Sequence, residues 1–159
     1  MGASGWDYRV PYVGSVEKTF IAVQEQILAD GGYIWPWEDI DPDFVDGEPL
    51  PRPSSLEALR VAKVLEEYWE EGTHTLLDID RVISGEGDEF GAVRLLVADE
   101  LSRLFGTEQP TAADFDRVYR SSSEGPLLDL LGDRWSGRSM VIYDNGSPAE
   151  VFFWGSSGD

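Results

Sequence analysis

Apolar positions in this chain switch between a two-residue and a three-to-four-residue repeat, and the switches mark out its elements. Residues 5–13 place Trp6, Tyr8 and Val10 on one alternating face, which predicts a short strand. Pro11 has no amide hydrogen and confines that strand to an edge or an end. Over 16–29 the period changes. Val16, Phe20, Val23 and Ile27 fall at helical spacing, and Ile21 and Leu28 widen the stripe. Ser15 stands where an N-cap is needed, and Gly31 and Gly32 end the helix. A tight aromatic group, Tyr33, Trp35 and Trp37 around Pro36, comes next.

Residues 38–53 have no period. Prolines at 42, 49, 51 and 53 forbid regular structure, so the stretch reads as a long, acidic, proline-rich loop. A second helix is predicted over 55–71, with Leu59, Ala62, Leu65 and Trp69 on one face and Leu56 and Tyr68 beside them. Ser54 and Glu57 have capping-box spacing, and Gly72 stops the helix. Glu66, Glu67, Glu70 and Glu71 crowd its last turns, where the helix dipole prefers cations. Thr73–Ile83 reads as a strand, with Phe90–Val97 as its antiparallel partner across the glycine-containing segment 84–89. Short helices are predicted at 98–105, 111–121 and 125–135, the middle one capped by Thr111 with Asp114 three residues on. Ser139–Tyr143 and Glu150–Trp154 flank Asp144-Asn145-Gly146-Ser147, and Asn-Gly favours a tight hairpin turn. The pattern predicts an α+β fold: a small antiparallel sheet of four or five strands with a C-terminal hairpin, packed against about five helices. At 159 residues a single domain over 1–159 is expected, with enough chain to bury a core unaided.

Charge changes this picture most. The chain carries 31 acidic and 12 basic residues, a formal charge of −19. A field of that size keeps a domain dispersed, repels nucleic acid and anionic membrane, and attracts basic protein surfaces. Direct nucleic-acid binding is not expected, because it rests on cations neutralising phosphates. No apolar run approaches the roughly 20 residues that span a bilayer, and the first residues lack the apolar core of a secretory signal. The expected setting is the cytoplasm. There is no cysteine, which removes disulfides, thiol nucleophiles and thiolate metal sites.

Candidate chemistry is sparse. Asp39, Asp41 and Asp43 take the first three ligand positions of an EF-hand loop, but Phe44 and Leu50 stand where that loop needs glycine and glutamate. With Asp46 and Glu48 the stretch reads as a solvated acidic loop, and no metal or cofactor is expected. His74 is the only histidine, which excludes multi-histidine metal centres. In a strand it would share a face with Asp78 and Asp80, a weak candidate catalytic pairing of imidazole and carboxylate. No nucleophile elbow accompanies it. Ser84-Gly85-Glu86-Gly87-Asp88 has glycines but adds acid, unlike a phosphate cradle. Arg120-Ser121-Ser122-Ser123-Glu124 resembles an ADP-ribosyltransferase segment but lacks the downstream Glu-x-Glu or Gln-x-Glu. Carboxylate pairs of glycosidase type are bound to arise by chance among so many acids.

Ser4-Gly5-Trp6-Asp7-Tyr8-Arg9-Val10-Pro11-Tyr12, Gly72-Thr73-His74 and Phe153-Trp154-Gly155-Ser156-Ser157-Gly158-Asp159 resemble segments of small uncharacterised actinobacterial proteins. The resemblance implies a bacterial cytoplasmic protein and carries no functional residues. It agrees with a bias in the basic residues, ten of the twelve being arginine.

Charge, size and aromatic-rich loops lead to one expectation: a non-enzymatic, acidic protein-interaction domain. Its concrete form is an immunity-type or inhibitor protein masking a basic partner such as a nuclease toxin. The expected contact is the acidic loop, with Asp39, Asp41, Asp43, Asp46 and Glu48 flanked by Trp35 and Trp37 as aromatic anchors. The alternatives are a small enzyme using His74 with a nearby carboxylate, and a nucleic-acid mimic with carboxylates at phosphate-like intervals.

Overall fold

The computed structural model describes residues 3–38, 48–120 and 125–158. Its strands are β1 (Ser4–Pro11), β2 (Arg81–Ile83), β3 (Ala92–Leu95), β4 (Ser136–Asp144) and β5 (Ser147–Ser157). They form one sheet in the order β1-β5-β4-β3-β2. β5 is antiparallel to both β1 and β4, whereas β2, β3 and β4 run parallel. The fold is α+β with a mixed sheet.

The hairpin of β4 and β5 is written in its turn. Asn145 (φ 48°) and Gly146 (φ 77°) both take positive φ, the geometry whose twist matches paired strands. β5 is the hinge of the core because its side chains alternate between two clusters. Val151 and Phe153 join the first, and Phe152 and Trp154 join the second. The first face is covered by α1 (Val16–Asp30), α2 (Leu56–Ala62), α3 (Glu66–Glu71) and the aromatic segment 33–37. The second is covered by α4 (Ala98–Phe105), α5 (Ala112–Arg120) and residues 127–131. Trp6 crosses from β1 over β5 and β4 because Gly155 and Gly137 have no side chains. A Cβ at Gly155 would sit 2.4 Å from the Trp6 ring.

Several sequence expectations give way to tertiary demands. The helix over 55–71 is two helices, broken at 63–65 although no proline or glycine stands there. A continuous helix would bury Leu65. The break instead leaves Leu65 40% exposed and buries Tyr68 completely, while the Trp69 indole caps the Lys63 carbonyl at 2.8 Å. The N-cap is Ser55 rather than Ser54, its hydroxyl accepting from the Ala58 amide. Thr73–Ile83 is strand only at 81–83. Positive φ at Gly72 and His74 turns the chain, the Thr75 hydroxyl caps a 3-10 turn at Leu76–Asp78, and consecutive Leu76 and Leu77 are both buried. β3 is therefore a parallel partner of β2, not an antiparallel one. The strands are short enough for residues 84–91 to carry the chain back, since eight residues reach roughly 26 Å. Of the helix expected at 125–135, a single 3-10 turn at Leu128–Leu130 forms. The helix expected at 111–121 is α5, and its capping box is present: Thr111 and Asp114 exchange bonds through side chain and backbone.

Candidate functional site

The aromatic anchors expected from sequence are buried, and among the described residues His74 makes no bond to the carboxylates expected beside it. Trp35 and Trp37 are 3% and 6% exposed and belong to the first core cluster. Their rings lie 5.0 Å apart, and the Trp35 indole donates to the Leu50 carbonyl at 2.7 Å. They staple the two ends of the proline-rich segment to the core and present almost no surface to a partner. Asp39, Asp41, Asp43 and Asp46 lie outside the described residues. Glu48 is exposed.

His74, Asp78 and Asp80 also part company, because residues 74–80 are not a strand. The His74 Nδ1 bonds the Ser4 hydroxyl at 2.7 Å, and its Nε2 is buried without a partner. Asp80 is exposed and pairs with the Lys63 ammonium at 2.8 Å. Burial pushes the Lys63 amine down, against the pull of Asp80. Asp78 is wholly buried, and among the described residues its hydrogen-bond partners are hydroxyls and one backbone amide, not the imidazole of His74. Its carboxyl accepts from the Thr73 amide (2.8 Å), the Thr73 hydroxyl (2.9 Å), the Tyr68 hydroxyl (2.8 Å) and the Ser157 hydroxyl (2.5 Å). Burial, with the neighbouring Asp78 charge, pushes the Tyr68 hydroxyl far up, so it stays a donor. The Trp6 indole reaches the same Ser157 hydroxyl at 3.2 Å. This knot fixes the turn after α3 to the end of β5 and, through Trp6 and Ser4, to β1. Among the described residues no bond joins His74 to either carboxylate.

Most acids of 78–89 are likewise engaged by cations or donors of this same chain. Asp88 and Glu100 bracket Arg94 and Arg138, each cation only 4% exposed on adjacent strands. Arg94 bonds Glu100 at 2.8 and 2.9 Å, and Arg138 meets Asp88 at 2.9 Å. The Arg94 guanidinium holds the Glu100 carboxyl below its ordinary range, helped by the Val97 amide. Glu89 pairs with Arg81.

Two surfaces are left. The first is the corner between α2 and α3. Val61 (64% exposed), Val64 (81%) and Leu65 stand beside exposed Glu66, Glu67, Glu70 and Glu71, and none of those four glutamates has an ion pair among the described residues. The signal was present in the sequence, since Val61 and Val64 lie off the Leu59–Ala62 stripe. The second surface is the outer edge of β1. It lies between two grooves, one on each face of the sheet. The groove on the second face measures about 650 Å³ and is floored by Phe152 and Trp154, with Asp7 and Tyr119 at the rim. The groove on the first face, about 300 Å³, lies between Tyr8 and Val10 of β1 and Val23 and Ile27 of α1.

No known protein family matches the chain. No curated protein and no solved structure is similar to it either.

Proposed function

We propose that this chain is an acidic protein-binding module that captures and masks a basic protein, as an immunity or inhibitor protein masks a toxin. One observation carries the reading: an exposed apolar corner, Val61, Val64 and Leu65, bordered by four glutamates without counter-ions among the described residues. Apolar contact with a surrounding charged rim is the usual anatomy of a protein interface. The rest of the surface strengthens the field. Among the described residues at least eight of the twelve basic side chains are engaged with carboxylates of this same chain, which leaves few cations to offset the exposed acids. Such a field speeds encounter with a basic partner, and the apolar corner then sets its lifetime.

The test is capture of partners on the immobilised chain at low salt, followed by titration with the purified captured protein. A basic partner is expected, with affinity falling as salt rises. The quadruple change Glu66→Gln, Glu67→Gln, Glu70→Gln and Glu71→Gln should weaken it about tenfold or more, since rim charges act together. Helix α3 should survive, because neutralising Glu70 and Glu71 at its C-terminal end relieves an unfavourable interaction with the dipole and offsets the loss of Glu66 and Glu67 from its first turn. An unchanged affinity in that variant would show that the corner is not the contact.

A further inference from the structure

β1 is an edge strand whose outer backbone is unpaired among the described residues. The Tyr12 amide donates to the Ala149 carbonyl at 2.9 Å, and the register pairs Val10 with Val151, Tyr8 with Phe153 and Trp6 with Gly155. Antiparallel pairing alternates, so the amides and carbonyls of Gly5, Asp7 and Arg9 point away from β5. None of them has a backbone partner among the described residues, and all three residues are exposed. Pro11 falls in the same outward set, the position at which a proline loses no ladder bond.

What distinguishes this edge from an ordinary one is its flanks. Each face of the sheet continues past β1 as a groove. On the first face α1 overhangs the strand and leaves Tyr8, Val10, Val23 and Ile27 lining an apolar channel. On the second face Gly5 has no side chain, and a Cβ there would meet nothing closer than the Gly155 carbonyl at 3.9 Å. The space above it opens onto the Phe152 and Trp154 floor. Asp7 stands at that rim, and among the described residues its side chain is bonded by the Tyr119 hydroxyl alone, at 3.4 Å. Arg9, by contrast, is neutralised by Asp116 and Glu150.

We infer that β1 accepts an extended segment of a partner protein as a sixth strand, with alternating apolar and basic side chains. Main-chain bonds to Gly5, Asp7 and Arg9 hold the segment. One parity of side chains fills the channel under α1, and the other lays cationic side chains along the groove past the exposed Tyr119 and Leu128 towards Asp7. Strand addition of this kind draws affinity from the backbone and specificity from alternate pockets. The stem of an arginine suits an apolar floor while its guanidinium suits a carboxylate and an aromatic face. A second copy of this chain is a poor occupant, because each copy carries −19. The inference uses no residue of the α2–α3 corner and stands or falls apart from it.

The probe is a capped alternating isoleucine–arginine octapeptide added to the full chain. Binding is read by amide hydrogen exchange and by tryptophan fluorescence. Protection is expected at the amides of Gly5, Asp7 and Arg9. An octapeptide N-methylated on every second residue, on the edge that faces β1, should not bind. Asp7→Asn should weaken the parent peptide roughly three- to fivefold and flatten its salt dependence, as for a partly exposed ion pair. Gly5→Leu, which fills open space, should weaken it further and leave the unliganded fold intact. Three results overturn the inference: no binding of the alternating peptide, equal binding of the N-methylated peptide, or protection confined to other residues. Self-association through β1 in sedimentation, abolished by Asp7→Pro, would overturn it in favour of a second copy.

Discussion

Removing the Asp78 carboxyl should cost this protein a large part of its stability. In Asp78→Ala the Thr73 amide and the Tyr68 hydroxyl lose an acceptor at 2.8 Å in a wholly buried setting. The Thr73 hydroxyl has somewhere to turn, since it lies 2.8 Å from the Thr75 hydroxyl. The Ser157 hydroxyl does not, because its bond with Trp6 uses it as an acceptor and its own hydrogen is left stranded. Three stranded donors at roughly 1–3 kcal/mol each give a loss of about 6 kcal/mol. That is a substantial share of the roughly 5–15 kcal/mol that holds an ordinary domain folded. Asp78→Asn keeps one acceptor and turns an NH2 group towards the remaining donors, so about 2 kcal/mol is expected. Urea unfolding followed by tryptophan fluorescence measures both, with the slope checked for constancy. Tyr68→Phe supplies the second corner of a double-mutant cycle, and a coupling of about 1 kcal/mol or more is expected. A loss below about 1 kcal/mol for Asp78→Ala, or strict additivity with Tyr68→Phe, would refute the knot as a stabilising unit.

Two further outcomes follow from the same interior. Glu100 is held below its ordinary value of 4.5 by Arg94. Its contribution is therefore complete above that value and is lost as pH falls through the depressed one. Glu100→Gln should lower stability by about 2 kcal/mol at pH 7, and the difference from wild type should shrink below about pH 4 in acid-titrated urea melts. A constant difference across that window would count against the pairing. Gly155→Ala places a Cβ 2.4 Å from the Trp6 ring and 2.6 Å from the Ser136 carbonyl, so a loss of about 3 kcal/mol is expected. Gly146→Ala meets nothing within 4 Å and carries only the cost of a positive φ, about 1 kcal/mol. Thermal melts that rank the two the other way would overturn this account of Trp6 packing.

Local patterns of this chain were legible where one residue type answers one local need. Ser15 accepts from the Lys18 amide, Thr111 and Asp114 close their box, and Asn145-Gly146 turns the hairpin. In each case the bonding partners lie within a few residues. The strand face of Trp6, Tyr8 and Val10 and the helical stripe of Val16, Phe20, Val23 and Ile27 were legible for the same reason, because burial on one side leaves a period.

What sequence by itself left open was decided by contacts across long separations. Ser157 reaches Asp78 from 79 residues away, which turns a stretch that alternates like a strand into a buried turn. The Trp69 indole and the fully buried Tyr68 break a helix that no glycine or proline interrupts. From sequence Trp35 and Trp37 are expected as surface anchors, but the Leu50 carbonyl and the Tyr68 ring hold Trp35 in the core and Trp37 packs on Trp35. Charge was fixed by composition, but not its use. Only the folded chain separates Asp88 and Glu100, which hold buried arginines, from the glutamates of α3, which face solvent. The free edge of β1 is likewise invisible in one dimension. A strand declares its own faces through its period, but which of its edges finds a neighbour depends on where the rest of the sheet is laid.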